Sequence, residues 1–117
     1  MDKWELERRT KRFALRVIQF VSSLPSNTVT RVMGYQLMKA GTSIGANYRE
    51  ANRGVSRADF LNKIGIVEKE AAETQYWIEL FDEAGVGDAN ERAWLFQESS
   101  ELLAIFTSIG KTTKSRG

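Results

Sequence analysis

The chain has 117 residues, enough for one domain with a single core. Hydrophobic residues make up 42% and charged residues 27%, the balance of a globular rather than a disordered chain. There is no cysteine and no histidine, which excludes disulfides, thiolate metal sites, Glu-x-x-His di-iron sites, histidine-ligated haem and Ser-His or Cys-His nucleophiles.

The formal net charge of +2 hides an asymmetry: residues 1–57 hold eleven Lys/Arg and four Asp/Glu, and residues 58–117 hold six and eleven. Either the halves neutralise each other, across helix faces or between subunits, or the basic half faces an anionic partner. No apolar run approaches the ~20 residues that span a bilayer. The opening Met1-Asp-Lys-Trp-Glu-Leu-Glu-Arg-Arg9 lacks the apolar core of a signal peptide. The expectation is a cytoplasmic protein with no membrane partner.

Helix one is predicted from Asp2 or Trp4 to Ser23. Phe13, Val17, Phe20, Val21 and Leu24 recur at helical steps. Leu15 and Ile18 form a second apolar edge, and Lys3, Arg8, Arg9, Lys11, Arg12 and Arg16 are its bases. Pro25 ends it, because the residue before a proline is pushed out of the α region.

Helix two is predicted from Thr28 or Thr30 to Asn52 or Arg53, with Met33, Leu37, Ala40, Ile44, Tyr48 and Ala51 as its stripe. Gly34, Gly41 and Gly45 form a second strip almost free of side chains. An interior glycine costs a helix roughly 1 kcal/mol relative to alanine, so Gly41 and Gly45 are assigned to close helix packing. Thr42 and Ser43 open the option of a kink near Gly41. The unbroken apolar period favours a continuous helix, with Gly54 at its C-terminal cap.

Helix three follows the capping-box pattern Ser56-Arg-Ala-Asp59. Phe60, Ile64, Val67, Ala71, Thr74, Ile78 and Phe81 then step 4-3-4-3-4-3, a heptad seam. It ends at Ala84-Gly85. Asp88 with Glu91 is a second capping-box pattern, and Trp94, Leu95, Leu102, Leu103, Phe106 and Ile109 are the apolar set of helix four. These elements predict an all-α, antiparallel up-down-up-down four-helix bundle occupying 1–110, with a basic, disordered tail at 111–117. Trp77 and Trp94 are candidates for extra surfaces used in self-association.

The residues offer little catalytic chemistry. Glu68, Glu70 and Glu73 cluster on helix three, where a solvated or ion-paired face is favoured over an all-carboxylate metal site. Gly41 and Gly45 lie inside a helix rather than in a loop opening one, unlike a phosphate cradle. Tyr48 and Tyr76 read as core-edge residues. No catalytic residue, metal or cofactor is expected, and the chain is read as not an enzyme.

Three blocks carry a family resemblance: Gln36-Leu-Met-Lys-Ala-Gly-Thr-Ser-Ile-Gly-Ala-Asn-Tyr-Arg-Glu-Ala51, Ser56-Arg-Ala-Asp-Phe60, and Lys63-Ile-Gly-Ile-Val-Glu-Lys-Glu-Ala-Ala-Glu-Thr-Gln-Tyr-Trp77. With Phe13-Ala-Leu-Arg16 and Leu24-Pro25, the chain resembles, over about residues 10–108, the small bacterial four-helix-bundle proteins found as open reading frames within 23S rRNA intervening sequences. The resemblance implies an antiparallel bundle and a ring-like homopentamer. It includes the accessory protein of diversity-generating retroelements, whose basic barrel engages a reverse transcriptase and nucleic acid. It implies no enzymatic activity.

Two functions follow as expectations. One is a non-enzymatic oligomeric module that binds RNA, DNA or a nucleic-acid-processing protein. Its candidate contacts are Arg49, Arg53 and Arg57, with Lys39, Lys63, Arg8, Arg9, Arg12 and Arg16 behind them. The other is a scaffolding oligomer that recruits a protein partner without touching nucleic acid. Arg49 has two readings, binding or pairing with Glu50 or Glu73 across a subunit interface.

Overall fold

A computed structural model describes residues Met1–Arg116 as four helices. Each begins at a polar residue whose side chain accepts from a backbone N–H of the first turn, satisfying a donor that the helix itself leaves free. Asp2 caps α1 (Lys3–Ser22), Asn27 caps α2 (Thr28–Asn52), Ser56 caps α3 (Arg57–Ala84) and Asp88 caps α4 (Ala89–Ser115). Among the described residues the reciprocal box forms only at α2, where the Thr30 side chain accepts from the Asn27 N–H. Asp59 and Glu91 each give their backbone N–H to the cap residue, and neither carboxylate completes the box.

Two helix ends differ from expectation. Gly85 closes α3 in the left-handed conformation at φ 66°, as a glycine cap should. Gly54 does not, because α2 ends on Arg53 at φ −104° and among the described residues only Gly85 and Gly87 have positive φ. The second difference is the tail. α4 continues to Ser115, so Lys111–Ser115 is helical rather than disordered. The Arg57 guanidinium holds this last turn, its Nη2 donating to the Thr113 carbonyl at 2.8 Å and the Lys114 carbonyl at 3.3 Å. Gly117 lies outside the described residues.

Consecutive helices pack side by side, and α4 returns to α1, giving an up-down bundle of 47 × 20 × 20 Å. The long dimension is close to the ~40 Å expected of helices this long at 1.5 Å per residue. The heptad of α3 lies where its period puts it: Ile64, Val67, Ala71, Thr74, Ile78 and Phe81 are all buried. They meet Phe13, Val17 and Phe20 of α1, Leu37, Ile44 and Tyr48 of α2, and Leu95, Leu102 and Phe106 of α4.

α2 is continuous through Gly41, and the glycine strip lies against α1. A Cβ on Gly34 would stand 3.0 Å from Val21, one on Gly41 3.0 Å from Val17, and one on Gly45 3.1 Å from Thr10. These three contacts fix the α1–α2 register.

The α1–α4 seam is built differently. These two backbones approach least closely of the neighbouring pairs, and large side chains fill the gap. Phe13 stacks on Trp94 with centroids 6.3 Å apart, and the Arg16 guanidinium sits 4.0 Å from the Trp94 ring centroid. Trp94 is therefore half-buried within its own chain, between Phe13 and Arg16. Trp77 also packs against the core, beside Tyr76. No helix among the described residues is long and apolar enough to cross a membrane.

Candidate nucleic-acid interface

Antiparallel topology brings the start of α1, the end of α2, the start of α3 and the end of α4 to one end of the rod. Side chains confirm the meeting. Glu7 of α1 accepts from Asn52 Nδ2 of α2 at 2.8 Å, Lys63 of α3 lies 3.3 Å from Glu50 of α2, and Arg57 of α3 reaches the carbonyls of α4. Bases from all four helices collect at this end: Arg8, Lys11 and Arg12, then Arg49 and Arg53, Arg57 and Lys63, and finally Lys111 and Lys114. The other end carries Glu79, Asp82 and Glu83 at the close of α3 with Asp88 and Glu91 at the opening of α4. Asp2, Glu5, Glu7, Glu50 and Asp59 share the basic end, and Arg31 and Arg92 the other, so it is the balance of charge that shifts along the axis.

The expected site residues separate into three groups. Arg8, Arg12 and Arg53 are exposed and make no ion pair among the described residues. They form the open part of the basic end, and Lys11, which was not among the expected contacts, belongs with them. Arg49, Arg57 and Lys63 are at the same end but engaged. Arg49 Nε lies 3.5 Å from Glu7 of its own chain. Arg57 is spent on carbonyl oxygens and Lys63 on Glu50.

Arg9, Arg16 and Lys39 fall outside the open surface. Arg9 is a clamp on α4, with Nε 2.7 Å from Glu98 Oε2 and Nη2 2.8 Å from both Glu98 Oε1 and Glu101 Oε1. The Glu98 hydrogen bonds, followed by those to Glu101, hold its guanidinium even more firmly protonated than usual. Arg16 pairs with Glu91 at 2.7 Å. Both belong to neutralisation across helix faces, one of the two uses of the charge asymmetry that the sequence left open. Lys39 lies mid-helix on α2, away from the end.

Between α1 and α2 the basic end opens into a shallow depression of about 500 Å³, lined among others by Lys11, Arg49 and Arg53. Its floor is Thr10, Ala14, Thr42, Gly45 and Ala46, small residues that let the helices approach and leave the long cations standing at the rim. Glu7 and Glu50 also line it, so it is mixed in charge rather than a closed anion pocket. The Tyr48 hydroxyl, next to Asn52, is pushed up in pKa mainly by burial and stays neutral. Among the described residues no group of three or more Asp or Glu is placed to hold a metal ion. Burial, then Glu73, pushes the Glu70 carboxyl up.

Lys11, Lys111 and Lys114 are not among the expected residues of this end, because spacing within one helix does not show what a distant helix brings alongside. The alternating direction of the four helices was the signal that would have found them.

The fold and this surface define a small up-down four-helix bundle with charge polarised end to end. The family model described as 23S rRNA-intervening sequence protein matches residues 2–108, and the chain belongs to that family. It is also similar to the crystal structure of a protein of unknown function from the S23 ribosomal protein family of Bacteroides thetaiotaomicron. The two are 36% identical with a TM-score of 0.86, over 95% of this chain and 99% of that one. No curated protein matches the chain.

Proposed function

We propose that the protein is a non-enzymatic, oligomeric helical-bundle module that engages nucleic acid through its basic end. The carrying observation is the convergence on one end of Arg8, Lys11, Arg12 and Arg53, which make no ion pair among the described residues, with Glu79, Asp82, Glu83, Asp88 and Glu91 clustered at the other. Phosphates are recognised by such cations through counterion release, without any one precise geometry. The lack of histidine and cysteine supports a binding rather than a catalytic role.

Assembly would multiply this surface. Leu15 and Ile18 on α1, and Val29, Val32 and Tyr35 on α2, are exposed and lie away from the basic end. Joining copies through that apolar flank sets their basic ends side by side, and linked weak sites bind far more tightly than single ones. The homopentamer implied by the family resemblance fits this arrangement. The same flank favours the second reading, a scaffold that recruits a protein without nucleic-acid contact.

A titration of labelled RNA, single-stranded DNA and duplex DNA at several salt concentrations tests the first reading, with light scattering for assembly. Binding whose affinity falls steeply with salt supports it. No binding at low salt removes it and leaves the scaffold. A 13.3 kDa monomer in light scattering removes the oligomer.

A further inference from the structure

Met1, Trp4 and Val55 are large apolar residues left exposed at the basic end, and Trp4 is the aromatic one of the three. Trp4, in the first turn of α1, is 59% exposed, while Leu6 two residues on is buried in the core. An exposed indole is uncommon on a soluble surface unless something uses it. Its face meets a cation already, the Lys3 ammonium 4.9 Å from the ring centroid. Arg8 and Lys11 follow at i+4 and i+7, on the same face of α1, and both are exposed without an ion-pair partner among the described residues.

Resting on the nucleic-acid reading above, we propose that Trp4 is a stacking platform for an unpaired base, so that the basic end prefers single-stranded nucleic acid to duplex. Phosphates are common to both, and Arg8, Lys11 and Arg12 attract either. A base face is available only in a single strand, because a duplex keeps its bases stacked on each other. A base lying on Trp4 leaves its flanking phosphates about 6 Å along the helix from Arg8, within reach of that side chain. Stacking of this kind is tolerant of sequence, and the chemistry is shared by RNA and DNA.

The test compares wild type, Trp4→Ala, Trp4→Phe and Lys11→Ala against three 20-nucleotide probes: single-stranded RNA, single-stranded DNA and duplex DNA. Trp4→Ala is expected to weaken single-strand binding roughly tenfold and leave duplex binding unchanged, with Trp4→Phe close to wild type. Lys11→Ala is expected to weaken all three probes. Indole emission gives a second readout. Trp94 lies under Arg16 and Trp77 packs against the core, so quenching by a single strand is assigned to Trp4 and disappears in Trp4→Phe.

If Trp4→Ala weakens single-strand and duplex binding equally, or neither, the stacking proposal falls while the nucleic-acid reading stands. If Trp4→Ala instead changes the mass in light scattering without changing the preference, Trp4 is a subunit contact and the proposal falls. If no probe binds wild type at low salt, both readings fall together.

Discussion

Arg9 and Glu98 face each other across the α1–α4 seam as a two-pronged pair, Nε to Oε2 at 2.7 Å and Nη2 to Oε1 at 2.8 Å. Glu98 is 9% exposed, and Arg9 also reaches Glu101. This pair stands where the two backbones lie furthest apart among neighbours, so it closes a gap that apolar side chains leave. Removing Glu98 leaves the Arg9 charge, partly shut off from water, with Glu101 alone as its partner. Glu98→Ala is expected to cost about 2–3 kcal/mol, below the 3–5 of a fully buried pair, because the Arg9 side chain keeps 18% of its exposure. Replacing both by apolar residues, Arg9→Met with Glu98→Leu, is expected to recover most of the loss. Denaturant titration of the two single variants and the double variant measures the coupling.

The glycines of α2 and α3 predict opposite responses to the same substitution. A Cβ on Gly41 would meet both γ carbons of Val17, at 3.0 and 3.3 Å, and a β-branched side chain on a helix has little rotamer freedom to yield. Gly41→Ala is expected to destabilise by about 1–3 kcal/mol despite the gain in helix propensity. Gly65 has nothing within 4 Å of its Cβ position, so Gly65→Ala is expected to stabilise by about 0.5–1 kcal/mol. Thermal melts of both proteins read the signs. Adding Val17→Ala to Gly41→Ala should return part of the loss, since it removes the atoms in contact.

The helices and the core stripe of α3 were legible because burial imposes the 3.6-residue period directly on the residues that carry it. Asn27 was missed as the cap of α2 because Thr28 and Thr30 compete with it for the same role in the sequence. Glu98 falls on the core-facing line Leu95–Glu98–Leu102, but a carboxylate there has no meaning until Arg9 is seen opposite it. The two are 89 residues apart, and helical spacing says nothing across that distance. The basic end was half legible for the same reason. The first half of the chain announced its charge, while its meeting with Lys111 and Lys114 depends on α4 pointing the opposite way to α3. Gly54 looked like a helix cap by composition, yet α2 ends without a left-handed residue.

Glu70 gives a pH-dependent prediction. Burial foremost, and then Glu73, raises its pKa in the folded protein, while Lys69 and Lys39 act in the other direction. A carboxyl whose folded pKa lies above its unfolded value favours folding when protonated and loses that contribution as pH rises through the folded pKa. At pH 7 the ionised group is therefore a mild burden. Glu70→Gln is expected to raise stability at pH 7 by no more than about 0.5 kcal/mol. The difference should vanish under acid conditions, where the carboxyl is protonated in both states. Melting temperatures of the two proteins at pH 3.5 and pH 7 check this; an equal offset at both values would mean that packing, not ionisation, sets it.

Lys11 and Lys39 separate an end-on interface from attraction to overall positive charge. Both are exposed lysines on helices of the basic half. Lys11 lines the depression beside Arg49 and Arg53, and Lys39 lies mid-helix with Glu70 in its electrostatic surroundings. Substituting either by Glu changes the net charge of the molecule equally. If phosphates bind at the basic end, Lys11→Glu and Arg53→Glu each weaken binding and lower the salt slope by about one, while Lys39→Glu leaves both nearly unchanged. Exposed positions of this kind alter stability little, so the melts should coincide with wild type. Anisotropy titrations at 50, 100 and 200 mM salt read affinity and slope together. Equal losses for Lys11→Glu and Lys39→Glu would place the attraction in the net charge of the first half and remove the end as the interface.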